Sequence, residues 1–402
     1  MEKRSFLFLL FSIFLIFHGC APKEKEEAFP AYDRPLGPGE QALVKITNPY
    51  EIPDFTLACI NLEGLEESID RSLNYLKKPS SRQFFPINDI THERVVQSLK
   101  LFKNYINSGM TESELNQAIR ENFDVYTSVG YDKRGTVLFT GYYTPIFEGS
   151  WKQTGEYTCP LYKKPKDLVK GSFGEVLGRH MPDGTIQPYP SRYVIEATHM
   201  LAGQELIWLK DAFEAYVAQV QGSAKVRLPD DELVTVGYAA NNGHEYKSIS
   251  AELVRDGKIS RDKLSMPTLM DYFDRNPNEV GIYTNRNPRY VFFRKEEGMP
   301  RGSLNEPVTP MRTIATDKSI FPRAALTFVM ATLPQMRNGM VVQEVYSGFA
   351  LDQDTGGAIR APGRCDFYMG VGEEAGQLAG RTYKEGRLYY LFIKEQSNIP
   401  AY

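Results

Sequence analysis

From Gly135 onward the chain is cut into short runs rich in Val, Phe, Tyr and Thr, with Gly and Pro between them. This texture limits the fold more than any other feature. Branched and aromatic side chains pack well on a pleated surface, and Gly and Pro mark turns, so the runs read as strands. They lie at 137–143, 224–228, 233–238, 289–293, 339–347 and 387–394. Helices interrupt them at about 191–202, where Pro190-Ser191 supplies the start, and at 248–255. Ahead of this region Leu62, Leu65, Ile69, Leu73 and Leu76 recur at three- and four-residue intervals, which predicts an amphipathic helix over 60–78. A second helix is expected over 93–106, ending near Gly109. Thr111-Glu112-Ser113-Glu114 forms a capping-box pattern that opens a third through Phe123. The class is mostly β with N-terminal helices.

The first twenty residues carry an address. Lys3 and Arg4 precede an apolar stretch from Phe6 to Phe17, and Gly19-Cys20 closes it. The stretch is too short for a comfortable membrane span and has the shape of a signal peptide. Its Gly-Cys ending resembles a bacterial lipoprotein signal, which implies cleavage before Cys20 and lipidation of that residue. Ala21, in place of an Asp, then favours the outer membrane. Residues 21–45 are mostly charged or rich in Pro and Gly and are expected to form a flexible tether.

Hydrophobic content of 42% and charged content of 24% are those of a globular protein long enough for two cores. Net charge is −3 with no basic block, which argues against nucleic acid as a partner. Cys59, Cys159 and Cys365 show no metal-ligand spacing, and no metal or cofactor is expected. The five histidines are scattered, and GxSxG, HExxH and phosphate-binding glycine loops are absent. With 24 Tyr and 23 Phe against 2 Trp, the chain is rich in rings that pair a flat apolar face with a hydroxyl, which suits sugars as well as β-cores.

What remains is carboxylate chemistry. The stretch 351–370 reads LDQDTGGAIRAPGRCDFYMG. It sets Asp354 and Asp366 on either side of Thr355-Gly356-Gly357, after an apolar, strand-like run. Glycine admits close approach of a bulky ligand, and acids so placed are candidates for general acid catalysis. Acids that merely cap a turn give the same pattern.

Several runs carry a family resemblance: 138–145 (LFTGYYTP), Pro190-Ser191-Arg192 through Glu196-Ala197, 219–224 (QVQGSA), Val236-Gly237-Tyr238-Ala239 with Asn242-Gly243, and Tyr290-Val291-Phe292-Phe293-Arg294. Together they resemble the membrane-bound lytic murein transglycosylase A family. Residues 313–394 resemble its three-aspartate (3D) module, with Asp317, Asp354 and Asp366 as the three acids. One departure is Phe321-Pro322-Arg323-Ala324-Ala325, where a Pro-Leu-Gly turn is more usual.

The resemblance implies a double-psi β-barrel, residues 46–147 and 288–402, with a smaller β-domain, 148–287, inserted in it. A groove between them would hold a peptidoglycan glycan strand. Asp366 would be the catalytic acid and Asp354 a supporting one. Thr140, Gly141, Tyr142, Tyr143, Tyr238, Asn242, Tyr246, Gly356, Gly357 and Asp317 are the candidate substrate contacts. The implied reaction breaks the β-1,4 bond between N-acetylmuramic acid and N-acetylglucosamine and forms 1,6-anhydromuramic acid ends. The site would lie on the periplasmic face of the outer membrane, with other cell-wall enzymes as candidate partners. Two alternatives stay open: an inverting glycan hydrolase using Asp366 and Asp354, and a non-catalytic peptidoglycan-binding lipoprotein.

Overall fold

The computed structural model describes residues 31–395; the apolar leader and Cys20 lie outside them. Among the described residues no helix is long and apolar enough to cross a membrane.

Six strands form the core: Val137–Thr144, Thr313–Ala315, Leu326–Arg337, Met340–Asp354, Arg364–Val371 and Tyr383–Ile393. The neighbour sequence is 383–393, 326–337, 340–354, 313–315, 364–371, 137–144, and the last strand pairs back onto the first. The sheet is therefore a closed barrel, which removes the unpaired edges that an open sheet exposes. Two pairings are parallel, 313–315 with 340–354 and 364–371 with 137–144; the others are antiparallel. This is the double-psi barrel class expected from the sequence. Phe123–Ser128 and Leu43–Lys45 extend the sheet outward from the 383–393 strand.

The N-terminal helices seal one side of the barrel. Phe55 meets Phe328 edge-on at 4.7 Å between ring centroids, and Phe102 meets Phe349 at 4.9 Å. Buried Arg312 donates to the carbonyls of Asn61, Glu63 and Phe349, tying helix ends to strand.

A second sheet of six strands is built from residues between Ile146 and Glu296, with its own core of Leu161, Ile207, Phe213, Phe273 and Phe293. It extends past 287, because the strand Val291–Glu296 pairs with Leu233–Asn241. A small sheet of Leu168–Lys170, Val176–His180 and Ile186–Gln187 stands beside it.

Local differences from expectation have physical causes. The 60–78 helix is two, Thr56–Ile60 and Leu65–Lys77, because Gly64 at φ +71° breaks the turn between them. The capping box is present, but that helix is Glu112–Asn122, and buried Phe123 opens a strand. The 339–347 run is the start of a 15-residue strand, Met340–Asp354. Its partner, Leu326–Arg337, was hidden from the sequence by Pro334, a residue that argues against a strand. The expected tether is ordered at its end, where Ala42 and Leu43 are buried and Leu43–Lys45 joins the sheet. In the atypical turn, Ala324 takes φ +63°, the left-handed conformation a glycine accepts without strain, and donates to the Asp352 carbonyl.

Candidate active site

Four residues lie in a row across the barrel wall. Ala315 pairs with Asp354 on one side and Asp366 on the other, and Asp366 pairs in turn with Thr140. Paired residues on adjacent strands point to the same face. The two carboxylates therefore share one face, with α-carbons about 10 Å apart across two strand spacings.

A bulge decides which acid of the Asp352-Gln353-Asp354 run reaches that face. Ile314 pairs with Asp352 and Ala315 with Asp354, so one residue is extra on the longer strand. Without it the two aspartates would share a face; with it they face opposite ways. Asp352 is fully buried, accepting from Thr316 Oγ1 and Tyr390 Oη and paired with buried Lys318. Asp352 is thus a structural acid.

Asp354 and Asp366 differ in what holds them. Asp354 Oδ2 accepts from Tyr142 Oη at 2.8 Å, and its Oδ1 accepts from the amides of Ser303 and Thr355, each at 2.8 Å. Burial raises its pKa, against these hydrogen bonds. Gly302 lets the 300–305 loop pass over it, since a Cβ there would lie 3.1 Å from the Asp354 carboxyl carbon. Asp366 has Oδ1 enclosed with no hydrogen-bond partner among the described residues. Burial pushes its pKa up to about 6, opposed by the nearby Arg364 guanidinium and the Thr140 hydroxyl; Asp354 adds a smaller upward push. A carboxyl with that pKa keeps its proton in a useful fraction of molecules near neutral pH.

Both acids line a cleft whose walls come from the two sheets. The larger part holds about 420 Å³ and is bounded by Tyr142, Asp354, Gly356, Gly357 and Asp366 on the barrel side, and by Gln219, Val220, Tyr238 and Arg289 opposite. An adjoining part of about 170 Å³ adds Arg192 and Tyr246.

Of the residues singled out from the sequence, Tyr142, Tyr238, Tyr246, Gly356, Gly357, Asp354 and Asp366 meet at this cleft. Thr140 joins through its hydroxyl on Asp366. Gly357 carries the Arg289 guanidinium, which would come within 3.0 Å of a Cβ there.

Four others serve the frame. Asp317 is not a cleft residue: its Oδ1 accepts from the amide and hydroxyl of Ser319, and its Oδ2 from the Ala361 amide. Asn242 is buried, bonding the carbonyls of Pro190 and Pro288 and the amide of Tyr290. Tyr143 lies against Gly376 on the helix Gly372–Gly380. Gly141 borders the cleft with its backbone, but its missing Cβ faces that same helix, 2.8 Å from Ala379 Cα.

Gln219 and Gln221 stand in a run that carries the family resemblance and Arg289 in an expected strand, but the sequence assigned none of them to the site. The glutamines sit at the end of the helix Ala212–Gln221, where Gln219 accepts from Arg192 and Gln221 from the Tyr143 amide. Asp211 capping two amides and Gly222 at φ +78° bound that helix, and both signals are legible in sequence. Nothing local marks Arg289. Cys59, Cys159 and Cys365 are unpaired, and among the described residues no group of His, Cys, Asp and Glu can hold a metal ion.

The chain matches the MltA specific insert domain over residues 138–294 and the 3D domain over 312–392. It is 30% identical over 273 residues to the membrane-bound lytic murein transglycosylase A of Vibrio cholerae, a match covering 66% of this chain and 68% of that protein. A membrane-bound lytic murein transglycosylase from Agrobacterium tumefaciens shares the fold, with a TM-score of 0.73 at 24% identity over 88% of this chain and 98% of the other. The E. coli MltA crystal structure with bound chitohexaose gives 0.66 at 22% identity, over 88% and 95%.

Proposed function

The chain belongs to the membrane-bound lytic murein transglycosylase A family, and from that premise we propose that it cleaves the β-1,4 bond between N-acetylmuramic acid and N-acetylglucosamine in peptidoglycan, with Asp366 as single general acid and base. Protonated Asp366 gives its proton to the glycosidic oxygen as the bond to the muramic C1 breaks. The resulting carboxylate takes the proton of the C6 hydroxyl on the same muramic residue, and that oxygen closes on C1. The products are a free N-acetylglucosamine hydroxyl and a 1,6-anhydromuramic end, with Asp366 protonated again. An intramolecular nucleophile in good geometry reaches effective molarities of about 10⁵–10⁸ M, so it outcompetes water without a second base.

The observation that carries this reading is the inequality of the two acids. Hydrolysis by inversion needs a second carboxylate free to activate water. Asp354 has both oxygens committed to Tyr142, Ser303 and Thr355, whereas Asp366 has an uncommitted oxygen and a pKa near 6. Asp354 then supports catalysis by holding Tyr142 and adding negative charge near Asp366. Tyr142, Tyr238, Tyr246, Thr140, Gly356 and Gly357 are the proposed contacts to the glycan, and a chitohexaose bound to E. coli MltA accords with a chitin-like backbone as ligand. We assign the six-stranded barrel and the 146–296 sheet to two domains, and Cys20 to a lipid anchor on the periplasmic face of the outer membrane.

Digestion of purified sacculi in ¹⁸O-labelled water tests the chemistry. The expected products carry 1,6-anhydro ends and no label. One ¹⁸O per cut would establish the hydrolase, and no released muropeptide at all would establish a binding protein.

A further inference from the structure

The cleft has a second ingredient that the proton transfer does not use. Part of its lining, drawn from both walls, is cationic. Lys170, Arg294, Arg301 and Arg360 line the 420 Å³ part of the cleft, which adjoins an open cavity of about 520 Å³ beside the strand Val291–Glu296 that shares Lys170 and Arg294 and adds Lys163, Lys164 and Lys295. Among the described residues, the only carboxylates lining either are Asp354 and Asp366. In a chain of net charge −3, that concentration is not an average of composition.

These cations are mostly uncompensated. Arg294 pairs with Glu296, but among the described residues Lys163, Lys164, Lys170, Arg301 and Arg360 form no ion pair. Lys170 Nζ is satisfied by the Ala239 carbonyl and Arg301 by that of Asn305, neither a counter-charge. The Lys170 charge is disfavoured by burial and by neighbouring Lys164 and Arg294, and the Arg289 charge by burial and by Arg360. Like charges gathered in a concave wall raise the free energy of the empty site, and an anion placed among them relieves it.

We propose that this wall, running from Arg360 and Arg301 through Lys170 and Arg294 to Lys163 and Lys164, binds the carboxylates of acidic peptides attached to the glycan, so that the enzyme selects peptide-bearing over bare strands. The proposal rests on the peptidoglycan reading above. A backbone without peptides offers one lactyl carboxylate per muramic residue, held on the sugar itself, whereas peptide stems carry free carboxylates away from the sugar, and the cationic lining continues past the cleft to Lys163 and Lys164. The concavity favours a ligand entering the cleft over a flat anionic membrane.

Strands with their stem peptides, and the same strands stripped by an amidase with the exposed lactyl carboxylates capped as amides, provide the test, with anhydro ends counted by mass spectrometry. The unsubstituted enzyme should show a KM about tenfold lower for peptide-bearing strands, as a few charge-assisted contacts give, and added salt should shrink that difference. In Lys163→Gln/Lys164→Gln the two KM values should converge, whereas a variant that merely lost stability would lose kcat on both strands. Equal KM values in the unsubstituted enzyme would overturn the proposal while leaving the anhydro chemistry standing. Absence of anhydro ends from both strands would instead overturn the activity itself. If the folded variant keeps its preference but no longer binds vesicles containing anionic lipid, the wall is a membrane contact and the peptide assignment fails.

Discussion

Asp354 and Asp366 are the same side chain on the same face of the same barrel, and their surroundings give them different chemistry. Three donors fix Asp354, while Asp366 is enclosed with Oδ1 unbonded and a pKa near 6. Asp366→Asn should therefore abolish cleavage while leaving chitooligosaccharide binding measurable by calorimetry, because the amide keeps the shape and loses the transferable proton. Turnover by the folded variant would end the single-acid mechanism. The activity of the unsubstituted enzyme should fall as pH rises through about 6, where Asp366 loses its proton before substrate engages. Stability carries the same sign. A carboxyl whose folded pKa lies above its unfolded value contributes stability at low pH that is lost as pH rises through the folded value. A shift of this size is worth about 2–3 kcal/mol, so the advantage of Asp366→Asn over the unsubstituted protein in urea unfolding should widen by that much between pH 4 and pH 7. Parallel stability curves would show that the site is less dry than its geometry indicates.

At the scale of elements, one bulge and one glycine shape the site. The extra residue in Met340–Asp354 turns Asp352 inward to Lys318 and Asp354 outward to the cleft. Gly141, between Thr140 and Tyr142, lets the helix Gly372–Gly380 lie directly on the strand. Gly141→Ala puts a methyl 2.8 Å from Ala379 Cα, which is backbone and cannot rotate away. Overpacking of this kind costs about 1–3 kcal/mol. The expected result is a lowered midpoint in thermal unfolding, together with a reduced kcat as Thr140 and Tyr142 shift against Asp366 and Asp354. An unchanged midpoint would mean that the helix docks more loosely than the contact implies.

For the whole molecule, closure of the barrel and insertion of the second sheet between two of its strands create the cleft, since the chain leaves the barrel after Thr144 and returns at Thr313. Arg289, Gln219 and Tyr238 share a cleft with Asp366 because of that excursion. The proposed anchor belongs to this scale too. Cys20→Ser should move the protein from the membrane fraction to the soluble periplasmic fraction without changing its activity on soluble glycan strands. A variant that still sediments with membranes would refute lipidation at Cys20.

The sequence by itself determined what depends on neighbours along the chain. Period and punctuation gave the mostly β class and the N-terminal helices, and the capping box at Thr111–Glu114 formed as read. Glycine-flanked acids marked Asp354 and Asp366, because a turn beside an acid is a local pattern. Tertiary structure decided whatever depends on which face a residue takes. Pairing register separated Asp352 from Asp354, and bonds to Ser319 and Ala361 withdrew Asp317 into the frame. The helix Gly372–Gly380 claimed Tyr143 and Gly141, and carbonyls far away in sequence claimed Asn242. The cationic wall was illegible for the same reason: its residues are scattered from Lys163 to Arg360, and only folding brings like charges together against their mutual repulsion.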